Sequence, residues 1–120
     1  MSKKVKEKKP TLNKADANKF LRTVPKNEGL GLYKAPGEFT GKTVLNFSAL
    51  SEALRSVDIR AINYHFKRRD FEKWIRGTIG DEELARRFGR LDRELHGEKL
   101  RSSMATLVKT RLDELKAAVA

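Results

Sequence analysis

Cysteine is absent from all 120 residues, so disulfide frameworks, thiolate zinc sites, iron–sulfur ligation and thiol catalysis are excluded. Glutamine is absent as well, and only His65 and His96 offer imidazole. A whole expected helix separates the two, and they fit no zinc-ligand spacing, so no metal and no cofactor are expected. No apolar run approaches the roughly 20 residues that span a bilayer. The Lys-rich start also lacks the apolar stretch of a signal peptide. The expectation is a cytoplasmic protein with no membrane partner. At this length one domain is the upper bound, and 38% hydrophobic residues support one modest core rather than an elaborate enclosed active site.

What the chain does have is positive charge: 27 Lys and Arg against 16 Asp and Glu, a net +11 and a pI near 10.1. Abundant Arg, Lys and Glu without Cys or Gln fits a heat-adapted source. The charge is uneven, with seven lysines against two acids in the first twenty residues and nine bases against eight acids in the last forty. Residues 1–14 carry almost no large apolar side chain and cannot offset their ordering entropy, which predicts a disordered tail. Its Lys3, Lys4, Lys6, Lys8 and Lys9 are suited to neutralising phosphates and releasing counterions. The blander reading of the same run is a solubilising extension.

The fold class expected is mainly all-α, a compact domain of four to five helices. Residues 15–47 read as a connector with turns, because Pro25, Gly29, Gly31, Pro36, Gly37 and Gly41 punctuate it. A short helix fits around Phe20 and Leu21, and β-favouring residues either side of Pro36-Gly37 leave room for a small hairpin. Residues 48–120 form the helical domain. Ser48 is the expected cap of a helix carrying Leu50, Leu54 and Val57, Asp58 caps a second with Ile59, Ile62 and Phe66 inward, and Asp70 caps a third with Phe71, Trp74, Ile75 and Ile79. Gly80 reads as a stop, Asp81 as the next cap, and Leu84, Phe88, Leu91 and Leu95 as one continuous stripe. After His96-Gly97 a long closing helix runs through Leu100, Met104, Val108, Leu112, Leu115 and Val119.

The run Tyr64-His65-Phe66, Asp70-Phe71, Trp74-Ile75, Gly80-Asp81 and Leu84-Ala85, preceded by Leu50-Ser51-Glu52-Ala53-Leu54, resembles an uncharacterised family of small, mainly archaeal helical domains. The similarity covers approximately residues 39–115, with Gly97 at the opening of the last helix. It implies the helical fold and brings no catalytic residue with it. The Lys-rich tail is outside the shared pattern.

Two clusters invite a functional reading. His65 with Asp70 and Asp81 is the one acid–base constellation, but no nucleophile, second histidine or phosphate loop accompanies it, so a structural role is expected. The aromatics Phe66, Phe71 and Trp74 share the inward stripe and read as core, whereas Tyr64 falls off it. The second cluster is basic: Arg60, Lys67, Arg68, Arg69, Lys73 and Arg76 concentrate on two helices and the turn between them, and a guanidinium can bind two phosphate oxygens at once. Arg86, Arg87, Arg90 and Arg93 alternate with acids and read as ordinary surface. The leading expectation is therefore a non-enzymatic nucleic-acid-associated protein, RNA or the ribosome being the favoured partner, that binds through the tail, the basic cluster and Tyr64. The alternative is a protein-interaction module or homodimer using the C-terminal helix, where Leu107 and Val119 widen the apolar stripe.

Overall fold

A computed structural model describes residues 12–120. Helix α1 (Lys14–Leu21) is followed by a 3₁₀ turn (Lys26–Glu28) and by an antiparallel hairpin of β1 (Leu30–Tyr33) and β2 (Phe39–Val44). Then come α2 (Phe47–Ser56), α3 (Ile59–Arg68), α4 (Asp70–Trp74), a π-helical turn (Ile75–Ile79), α5 (Glu82–Gly89) and the long α6 (Gly97–Val119). The chain is thus predominantly helical, with one small hairpin ahead of the main helices.

Helix starts follow local chemistry. Asp58 accepts from the Arg60 N–H and Asp81 from the Leu84 N–H, as their positions imply. Two expected caps move. The cap of α2 is Asn46, whose Oδ1 accepts from the Ala49 N–H at 2.7 Å, while its Nδ2 donates to Thr23 Oγ1. Ser48 consequently lies inside the helix. Asp70 is the first residue of α4 rather than its cap, because its carboxylate is taken by His65 and Arg68. The turn from α3 to α4 is made by Arg69 in the left-handed region at φ 61°.

The stripe expected through Leu95 also breaks earlier. Helix α5 ends at Gly89, a poor helix former, and Asp92 then offers its side chain to the Glu94 N–H and its carbonyl to the Leu95 N–H, a local alternative to the helix. Leu91 and Leu95 still pack against the core from that turn.

The core is built around α6, which packs against α1, α2, α3 and α5. Leu50, Leu54, Ile62, Ile75, Ile79, Leu84, Leu100, Met104, Val108 and Leu115 are completely buried. Residues 15–47 do more than connect: Ala17, Val24, Leu32 and Val44 are buried in the same cluster. Arginines close helix ends that lack their own partners. Arg101 donates to the carbonyls of Leu54 and Val57, Arg93 to that of Phe66, and Arg22 to those of Thr78 and Ile79 at the end of the π turn. Arg93 also lies over the Phe66 ring at 4.1 Å, so it is a structural residue rather than ordinary surface.

Candidate nucleic-acid interface

Helix α3 presents Arg60, Tyr64, Lys67 and Arg68 on one side, at spacings of four, three and one, because Ile62, His65 and Phe66 claim the other. The Arg68 guanidinium lies 5.3 Å over the Tyr64 ring. Arg60 donates Nε and Nη2 to Asp58 at 3.1 and 2.8 Å. That pair pulls the Asp58 carboxyl well below the usual carboxylate range, first through the Arg60 hydrogen bonds and more weakly through Lys34 nearby. Arg68 donates Nε to Asp70 at 3.0 Å, which raises the guanidinium's own pKa. Each arginine keeps further N–H donors directed at solvent. Lys67 makes no ion pair with any described residue.

The rest of the predicted cluster is less united. Arg69 sits at the corner and donates to Glu72 at 3.3 Å. Lys73 is exposed on α4, one helical turn after Arg69. Arg76 is drawn to the first turn of α5, where it pairs with Glu82 at 3.0 Å. Tyr64 is half-buried, its face covered by Arg68 and its ring 5.0 Å from that of His65. Lys3, Lys4, Lys6, Lys8 and Lys9 lie outside the described residues.

The acid–base constellation separates in three dimensions. His65 is 4% exposed and bridges two elements: its Nε2 accepts the Tyr33 backbone N–H at 2.8 Å, and its Nδ1 lies 2.8 Å from Asp70 Oδ2. The first contact requires a lone pair on Nε2, which assigns the proton to Nδ1 and makes it the donor to Asp70. Both ring nitrogens are thereby occupied. Asp81 faces elsewhere and is held by Arg111.

That second carboxylate belongs to a network the sequence reading missed. Arg111 donates Nε and Nη2 to the two oxygens of Asp81 and Nη1 to Glu114, and Arg87 grips Glu114 and Glu83. The signal for Arg111 was its register, three residues after Val108 and seven after Met104, which puts it on the inward side of α6. Beside the network lies a cleft of about 670 Å³ lined by Phe20, Leu12 and mostly acidic polar groups, including Asp16, Glu82 and Glu83. Its charge has the wrong sign for phosphate.

The reading also missed two aromatics. Tyr33 and Phe39 are 36% and 49% exposed, the exposed large hydrophobics among the described residues, and both lie on the hairpin. On α6, by contrast, Val108 and Leu115 are fully buried and Leu107 and Val119 pack against the core. Among the described residues no group of three His, Asp or Glu converges as a metal site, and no helix is long and apolar enough to cross a membrane. No family model, no curated protein and no solved structure matches this chain.

Proposed function

We propose that this protein is a non-enzymatic nucleic-acid-associated protein, with RNA favoured and a ribosome or other ribonucleoprotein as its setting. The observation that supports it is the exposed row of Arg60, Lys67 and Arg68 along α3, on a chain of net charge +11. Such a row spaces cations along one line, as a phosphate backbone requires, and ion pairs with single carboxylates leave donors on each guanidinium for a second anion. The Lys-rich tail adds sequence-independent attraction. Small size, high pI and a basic extension suit a nucleic-acid partner, and the preference for RNA rests on analogy with small basic ribosome-associated proteins. The sequence shows neither a recognition helix of the helix-turn-helix type nor a known RNA-binding signature.

The test is fluorescence anisotropy of a labelled RNA against the full chain, a chain lacking residues 1–11, and Lys67→Glu, each across a salt series. The deletion spares the Asn13 cap of α1, whose Oδ1 accepts from Asp16. It should leave the melting temperature almost unchanged while weakening binding. Each lost phosphate contact lowers the slope of log affinity against log salt by about 0.7 to 0.9, and Lys67→Glu should lower it by one such step. Affinity indifferent to salt and to both changes would overturn the proposal and favour apolar docking through α6.

A further inference from the structure

We propose that the solvent face of the hairpin, formed by Tyr33 and Phe39, is a stacking site for unpaired bases of single-stranded nucleic acid. The inference rests on the nucleic-acid reading and specifies which form of the polymer is bound. Tyr33 and Phe39 are direct cross-strand partners in the register of β1 and β2, and their ring centroids stand 5.2 Å apart at 45°. Leu32, between Gly31 and Tyr33, points the opposite way into the core, so the strand's alternation sends both rings outward.

The pair stands where the ladder is irregular, the register shifting between Gly31 and Tyr33. Gly31 lies under the rings, where an added Cβ would stand 3.3 Å from Tyr33 Cε1 and 3.6 Å from Phe39 Cε1. A larger residue there would lift the rings away from the sheet. The backbone below is fixed from the other side by His65, which holds the Tyr33 N–H. An exposed aromatic pair on a rigid strand gives up little entropy when a base covers it, and every base has a face to offer.

Size and charge select this occupant over a protein. Two rings on a polar surface fall far short of the roughly 800 Å² per partner that a stable protein interface needs, but they match one or two bases. Lys34 follows Tyr33 directly and lies within electrostatic reach of Asp58, which pairs with Arg60. Glu38 is near Arg60 and offsets part of that charge. The phosphates of a strand stacked on the rings thus meet Lys34 and Arg60 at the start of the α3 row, which continues to Lys67 and Arg68.

The experiment uses the full chain and four 12-nucleotide probes of equal charge per strand: unstructured single-stranded RNA, the same sequence as DNA, and the duplex of each. Wild type should prefer the single strands to the duplexes. Tyr33→Leu with Phe39→Leu, which keeps apolar bulk but removes the ring faces, should weaken single-strand binding by roughly 5- to 150-fold per stacked base and leave duplex binding unchanged. Tyr33→Phe with Phe39→Trp should restore it, and a melt of each variant confirms the fold. Comparison of the RNA and DNA strands identifies which polymer the site takes. Equal loss on strands and duplexes, or no loss in the leucine variant, overturns the stacking site while leaving phosphate binding in place. Wild type that binds none of the probes overturns the nucleic-acid reading itself, and the stacking site with it.

Discussion

Arg111 meets Asp81 through two parallel hydrogen bonds, Nε to Oδ2 at 2.8 Å and Nη2 to Oδ1 at 2.9 Å, at a depth where the aspartate has no exposure. The same carboxylate caps α5 by accepting the Leu84 N–H. One buried group therefore ties the start of α5 to the middle of α6. Removing one partner of such a pair strands the other charge in a low-dielectric interior.

Arg111→Met should accordingly destabilise the protein by about 3–5 kcal/mol. Asp81→Asn keeps a cap acceptor while removing the charge, so the double variant should lose less than the two single losses added together. Urea denaturation of the four proteins measures this coupling. Strict additivity would mean that the pair contributes no interaction of its own.

His65→Phe preserves an aromatic ring of similar size but has no nitrogen, leaving the Tyr33 N–H without its acceptor and Asp70 without one of its donors. The expected loss is about 1–3 kcal/mol, the cost of a part-buried polar group left unpaired. It should be local at first, with faster amide exchange at Tyr33 than at residues of α6. Unchanged protection of the Tyr33 amide would show that β1 is held by its strand partner and packing alone.

Acid should weaken the carboxylate–arginine network of α5 and α6 in a defined window. The hydrogen bond from Arg86, opposed by some desolvation and joined by Arg87, holds Glu83 at about 2 against an ordinary 4.5. Partial burial opposes ionisation of Glu114, but Arg87 and Arg111 outweigh it and its pKa is also lowered. Because the folded-state values lie below the unfolded ones, the stabilisation is fully present above about pH 4.5 and is lost as pH falls toward 2. Urea midpoints measured between pH 6 and pH 2 should drop through that range, and Glu83→Gln should flatten the drop. A variant with the same acid slope as wild type would remove Glu83 from that network.

The candidate interface was legible where it is a local pattern. Arg60, Tyr64, Lys67 and Arg68 share a side of α3 because a helix repeats every 3.6 residues, and the inward positions of Ile62 and Phe66 leave them only the outside. Tyr33 and Phe39 were legible as strand residues and not as a site, since which face of a two-stranded hairpin meets the core depends on what it packs against. The charge count was a poor guide to free charge. Arg22, Arg93 and Arg101 bond helix-terminal carbonyls, and Arg87 and Arg111 hold carboxylates, so a share of the basic excess is structural.

By itself the sequence determined that the second half of the chain is helical, that Asp58 and Asp81 start two of the helices, that Gly80 is a stop, and that Phe66, Phe71 and Trp74 turn inward. These are short-range matters, decided by backbone capping and by apolar spacing within a few turns. The tertiary structure alone decided that Asp81 would find Arg111, thirty residues away, and that Tyr33 would hang on His65, thirty-two residues away. Such pairs form because a buried polar group must take a partner from whatever element the packing brings beside it, and helix crossing, which no local pattern encodes, makes that choice.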